Sequence, residues 1–248
     1  MKWNKKEREF TVQKNLSKRL KKIAECVPEA VKLADIGSDH AYLPIFLCQK
    51  GRIHQAIASE VSQGPFEHMC SEVEKAGLSE SIDCRLGDGL VTLRLEDQVE
   101  AVTIAGMGGE LIAKILQEAY CTQRLQNRPC LILQPNIDEI LVRKWLIGHG
   151  YRITDEKILE DAGKMYEIIV ALPTDTPQEL TDVQLLMGIY TKKDDPEVFN
   201  SKWQRKQANL KGIIEQMEHS DQQELRETFK KKFSLIQQEL EEDADEKE

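Results

Sequence analysis

The sequence predicts an α/β protein: a Rossmann-like, seven-stranded sheet closed by an antiparallel hairpin, then a coiled-coil-like C-terminal helical hairpin. Three observations predict it. Apolar runs of strand length alternate with helical patterns from residue 30 to about 150. Two further strand-like runs, 151–160 and 164–173, are joined only by Asp161-Ala162-Gly163, which suits a hairpin and is too short for a parallel crossover. After Pro173 and Pro177 strand alternation ends, and Lys, Glu and Gln dominate.

The elements follow in order. VKLADI (31–36) reads as the first strand and AYLPIFLCQK (41–50) as a helix, with Pro44 tolerable in its first turn. HQAIASE (54–60) is the second strand; SQGPFEHMCSEVEKAG (62–77) is a helix stopped by Gly77. IDCRLG (82–87) and EAVTIAG (100–106) are the third and fourth strands, and 109–120 is a helix. PCLILQP (129–135) is the fifth strand, and DEILVRKWLIGHG (138–150) a helix closed by glycine. Five β-α units and one hairpin match the strand economy of a methyltransferase sheet, whereas a dinucleotide fold would continue the parallel alternation. Residues 196–218 and 222–242 carry apolar stripes (Trp203, Leu210, Ile213, Ile214, Met217; Leu225, Phe229, Phe233, Ile236, Leu240) expected to pack on each other as antiparallel helices. Ser220 with Gln223 resembles a capping box between them. The expected domains are 1–175, with a basic N-terminal helix, and a helical 176–248.

Composition narrows the classes. The chain has 248 residues and a formal charge of −9. It has no membrane-length apolar stretch, and its charged N-terminus is unlike a signal peptide, so the expected location is the cytoplasm. Cysteines 26, 48, 70, 84, 121 and 130 show no CxxC or paired-His spacing and read as small buried apolar residues, not metal ligands or disulfides. The average charge hides an asymmetry: residues 1–22 carry nine Lys or Arg against two Glu, and 239–248 carry seven acids against one Lys. A partner feels the local field, so the basic arm is a candidate nucleic-acid contact as well as an ordinary solvated face.

The candidate site lies at the strand ends. Asp35, Gly37, Asp39 and Ala41 occupy the alternating positions of an E/D-x-G-x-G-x-G turn, where S-adenosylmethionine lies against the backbone of a methyltransferase. Gly37 permits that close approach. The cofactor has no pyrophosphate, and its sulfonium and amino group are positive, so an acid at 39 is tolerable where a dinucleotide enzyme would suffer. Glu60, followed by Val61, ends the second strand and can accept from both ribose hydroxyls; Asp88, beside Gly89, can accept from the adenine amine. Ala105-Gly106-Met107-Gly108-Gly109 ends the fourth strand, either as a tight turn or as a wall admitting a flat base. Gln134-Pro135-Asn136 ends the fifth; its amides suit a nucleobase edge, and Asn136 equally suits a helix cap. His40 is open to three roles: proton carrier, ligand partner or helix-start residue.

DIGSDHAYLP, GDGL, AGMGGE, LILQPN and ILEDAGKMYEIIVA resemble the bacterial tRNA (adenine-22-N1)-methyltransferase family over nearly the whole chain. The resemblance implies an S-adenosylmethionine-binding Rossmann-like domain, a C-terminal coiled-coil domain implicated in tRNA handling, tRNA as partner and Asp39 as the catalytic carboxylate. It makes Lys18, Arg19, Lys21 and Lys22 of the N-terminal helix, with Lys202, Arg205, Lys206 and Lys211 of the hairpin, expected phosphate contacts. Met107, Gly108 and Gly109 with Gln134, Pro135 and Asn136 become the expected receivers of a base. Rival readings are a methyltransferase acting on another RNA, a small molecule or a protein, and a non-catalytic RNA-binding protein. Oligomeric state is left open.

Overall fold

Short, doubly buried apolar runs build the strands. In the computed structural model, which describes residues 16–217 and 221–245, KLADI forms β1 (Lys32–Ile36), buried on both faces as a parallel strand should be. Helix α1 (Lys18–Cys26) precedes it, capped by Ser17, whose hydroxyl accepts from Leu20 N. Then follow α2 (Tyr42–Gln49), β2 (Gln55–Glu60), α3 (Gln63–Lys75), β3 (Ile82–Leu86), β4 (Ala101–Met107), α4 (Gly109–Cys121), β5 (Cys130–Pro135) and α5 (Glu139–Gly148). The hairpin is β6 (Tyr151–Asp161) and β7 (Lys164–Pro173), and the chain ends with α6 (Asp182–Met187), α7 (Thr191–Asp194), α8 (Pro196–Gln216) and α9 (Gln223–Asp245). The residues before 16, and Ser220 of the expected capping box, lie outside the described residues.

The seven strands follow the order β3-β2-β1-β4-β5-β7-β6. Strand β1 pairs in parallel with both β2 and β4, while β6 and β7 pair antiparallel. The chain steps outward from β1 to β3 and then returns to β4 on the other side of β1. That reversal makes the β1/β4 junction the topological switch point, where open α/β sheets bind ligands.

The described residues divide into two compact units, one within 16–105 and 114–132, the other within 106–113 and 133–245. In the second, Ile158, Leu186, Met187, Phe199, Trp203, Leu210 and Ile236 form one buried cluster, joined by partly buried Phe229, Phe233 and Leu240. The stripes of α8 and α9 therefore pack on each other and also on β6 and α6. Their distal positions Ile213 and Leu225 stay largely exposed. Helices α6 and α7 were not expected from the sequence, although α6 carries a legible capping box, Thr181 with Gln184. None of the six cysteines forms a disulfide; only Cys130 is buried as expected, whereas Cys121 is exposed and the other four are half-buried.

Candidate active site

The first unit holds the acids. Asp35 is buried in β1 directly opposite Thr103 of β4. Thr103 Oγ1 donates to its Oδ1 at 2.5 Å, and the Ser38 hydroxyl donates to Oδ2. Burial pushes its pKa up to about 6, partly offset by the hydroxyls of Ser38 and Thr103. Asp35 thus braces the turn from beneath.

Above it the backbone is forced. Gly37 has φ 66°, and His40 and Ala41 follow at 58° and 53°, two consecutive residues in a region that side chains disfavour. The turn throws Asp39 outward, with its side chain 83% exposed, and sets His40 Nε2 3.2 Å from Asp39 Oδ1. The His40 ring meets His68 of α3 edge-on at 4.8 Å between centroids, and its buried Nδ1 has no hydrogen-bond partner among the described residues. Of the three roles considered for His40, the structure shows the helix-start position, in a 3-10 turn (Asp39–Ala41) directly before α2, and leaves the other two as proposals.

Glu60 Oε1 accepts from Val61 N (2.9 Å) and Ser62 N (3.3 Å), which fixes the carboxylate at the end of β2. Asp88 is exposed and begins a short 3-10 turn without capping it through its side chain. Gly89 has φ +51°, and a β-carbon there would lie 3.0 Å from Ile115 Cγ2. Val61, Leu86 and Val91 are large apolar side chains left exposed around these acids. A positively charged ligand bearing ribose and a flat base fits this donor set: outward acids, an apolar rim and a positive-φ glycine at the switch point. Asp35, Gly37, His40, Glu60, Val61, Asp88, Gly89 and Ala105 all lie in this unit.

The second unit holds the glycine turn and the amides, and locks them together. Gly106 N donates to Gln134 Oε1 (3.0 Å), Asn136 Nδ2 to Gly106 O (2.8 Å) and Asn136 N to Met107 O (2.7 Å). Gln134 Nε2 donates to Pro135 O (2.9 Å) and Asn136 Oδ1 (3.1 Å), and the Gln134 side chain is fully buried. Gln134 is accordingly a brace between the two loops, whereas exposed Asn136 keeps acceptor capacity on Oδ1. Gly109 is required by contact: a β-carbon would stand 2.2 Å from Asp138 O and 2.9 Å from Ile137 O. Asn136 does not cap α5. Asp138 takes that position at φ 58°, with no side-chain capping bond.

Behind these loops lies a charge network invisible to pattern reading. Arg143 is fully buried between Glu156 (Nε to Oε1, 2.7 Å) and Glu167. Lys202 of α8 joins Glu139 at 2.5 Å and Glu167 at 2.6 Å. Burial alone would raise Glu139, but Lys202 holds its carboxyl below the usual range. The network has three carboxylates against two cations, and burial raises the pKa of Glu167 against the opposing pull of Lys202 and Arg143. The expected phosphate contact at Lys202 is therefore corrected: its ammonium is held inside by two carboxylates and is not offered to RNA. Gly188, at φ +90°, completes the nest, since a β-carbon would lie 2.9 Å from both Arg143 Nη2 and Glu156 Oε2.

Helix α1 is pinned to the first unit by Arg52, whose guanidinium donates to Ala24 O (3.0 Å) and Val27 O (2.8 Å). Lys18 and Lys21 are exposed on it; Arg19 and Lys22 are half-buried, and Lys22 pairs with Glu25 at 3.7 Å. Ser38 and Thr103 went unnoticed in the sequence reading. Thr103 had a signal, as the one polar residue inside VTIA. Glu139, Arg143, Glu156 and Glu167 had none beyond ordinary helix and strand polarity.

The strand order, the antiparallel last pair and the acid-bearing turn at the switch point define a Rossmann-like methyltransferase fold. The protein-family model for tRNA (adenine(22)-N(1))-methyltransferase, TrmK, matches residues 33–239, and the chain belongs to this family. It is 41% identical over 206 residues to the tRNA (adenine(22)-N(1))-methyltransferase of Bacillus subtilis (strain 168), covering 82% of this chain and 85% of that protein. Among solved structures, it resembles the B. subtilis M1A22 tRNA methyltransferase TrmK at a TM-score of 0.83 and 36% identity, covering 91% of this chain and 98% of that one. A Streptococcus pneumoniae protein in complex with S-adenosyl-L-methionine is similar at a TM-score of 0.81 and 42% identity, covering 91% and 99%. M. capricolum TrmK in complex with S-adenosyl-homocysteine scores 0.80 at 26% identity, covering 91% and 98%.

Proposed function

We propose that this chain methylates N1 of adenosine 22 in tRNA, giving 1-methyladenosine, with S-adenosylmethionine as donor. The observation that carries the reading is the DIGSDHAYLP turn, lying within the family match and built to push one carboxylate outward at the switch point. When bound, S-adenosylmethionine supplies a methyl group activated by its sulfonium.

The residues divide the remaining work. Glu60 and Asp88 hold the ribose hydroxyls and the adenine amine of the cofactor, Val61 covers its base, and Gly37, Gly89, Ala105 and Gly106 let it approach the backbone. Asp39 has no proton to remove before attack, because adenine N1 carries a free lone pair. Its task is to accept a hydrogen bond from the exocyclic amine of the target base as the ring becomes cationic, which stabilises charge developing in the transition state. His40, 3.2 Å away, orients that carboxylate. Met107, Gly108 and Asn136 receive the base; buried Gly109 and Pro135, expected to join them, instead shape the two loops with Gln134. Lys18, Arg19, Lys21 and Lys22 hold phosphates without reading sequence. The reaction belongs in the cytoplasm.

Two transcripts test the reading, one with adenosine at position 22 and one with guanosine there. After incubation with the purified chain and S-adenosylmethionine, nucleoside mass spectrometry is expected to find 1-methyladenosine only in the first. Methylation of neither transcript, with cofactor binding intact, hands the site to a small-molecule or protein substrate.

A further inference from the structure

Ile137 follows directly on Gln134-Pro135-Asn136 and is 62% exposed, more than any other large apolar side chain among the described residues. Its surroundings are unusually fixed for such exposure. Asn136 N donates to Met107 O at 2.7 Å, and Ile137 O accepts from Gly109 N at 2.8 Å, so the backbone is anchored on both sides of the side chain. Asp138 then turns the chain in the left-handed conformation into α5. A β-carbon on Gly108 would stand 3.8 Å from Ile137 Cγ1, so the side chain lies beside the glycine turn. Leu141, four residues on in the first turn of α5, is partly exposed, at 38%. The structure therefore presents a branched apolar side chain on an unyielding backbone, next to the residues proposed to receive the target base.

Adenine N1 lies on the pairing edge, so an enzyme that methylates it in folded RNA must draw the nucleotide out of its stack. The gap left behind favours re-entry unless something apolar fills it. Nucleic-acid-binding proteins that unstack bases insert Ile, Leu, Phe, Met or Pro between them for this purpose. A wedge also needs stiff backing, since it works against stacking on both sides; the cross-loop hydrogen bonds at 136 and 137 provide it.

We infer that Ile137 is the wedge that occupies the stack position vacated by adenosine 22, with Leu141 flanking it. The inference rests on the tRNA reading above. Its partner is a base step of the tRNA, recognised by its apolar faces and not by its sequence.

The test uses the full chain and tRNA carrying 2-aminopurine at position 22, whose fluorescence rises on unstacking. Wild type is expected to raise it; Ile137→Ala is expected to bind the same tRNA with affinity within about threefold while losing most of the rise. With unlabelled tRNA, Ile137→Ala is expected to lower kcat/KM about 10- to 30-fold, Ile137→Phe much less. A transcript that is abasic opposite position 22, where extrusion is easier, is expected to restore the Ala variant to within about threefold of wild type. An unchanged fluorescence rise, or an equal loss of activity on both transcripts, overturns the wedge. Failure of wild type to methylate either transcript overturns the tRNA reading instead and takes the wedge with it.

Discussion

The turn after β1 and the loop after β5 both end strands at candidate binding surfaces, and they are built oppositely. The first rests on one buried carboxylate, Asp35, which accepts from two hydroxyls, and it presents an acid, Asp39, to solvent. The second spends its buried amide, Gln134, on bracing Gly106 and Asn136, is followed by a helix tied into a five-charge network, and presents an apolar side chain, Ile137, beside exposed Asn136. Polar residue types at a strand end therefore do not foretell polar chemistry there. What the backbone leaves over for solvent does.

Breaking the support behind the second region gives the largest expected effect. Lys202→Met leaves Glu139 and Glu167 facing each other without their shared cation, and loss of one partner from a buried network costs about 3–5 kcal/mol. Urea unfolding is expected to show that loss. A lysine that merely bound phosphate would instead leave stability unchanged and alter only the salt dependence of tRNA binding.

The first region has a pH signature of its own, carried by one group. The Asp35 pKa is raised from 3.8 to about 6, so the folded state binds its proton more tightly than the unfolded chain does. By linkage this group favours folding below about pH 4, and its contribution is lost as pH rises through 6. At 1.36 kcal/mol per unit the swing is about 3 kcal/mol. Unfolding followed between pH 4 and 7 is expected to show this downward component in wild type and not in Asp35→Asn. Parallel curves would mean that Asp35 gains no proton on folding.

Much of this was legible beforehand. Each of the seven strands was placed within about a residue of its ends, because apolar runs, glycine stops and the three-residue 161–163 connection are local signals. The turn after β1 was legible because Gly37 and the apolar run that enters it are local signals; the outward direction of Asp39, set by His40 and Ala41 at positive φ, was not. Gln134 and Lys202 were not, because their partners lie far along the chain. Gln134 meets Gly106 28 residues away, and Lys202 meets Glu139 63 residues away. An amide or ammonium reads the same in sequence whether it faces a ligand or is enclosed by carbonyls and carboxylates. Burial decides, and burial is settled by the fold.

The most direct measurement concerns Asp39 itself. With Asp39→Asn, S-adenosylmethionine affinity by calorimetry and the single-turnover rate on tRNA with both ligands saturating separate binding from chemistry. The account predicts affinity within about twofold of wild type and a rate lower by roughly two orders of magnitude, the usual effect of losing one preorganised charge-stabilising group. A cofactor affinity that falls about a hundredfold, with the saturated rate intact, would contradict it and make Asp39 a cofactor ligand only.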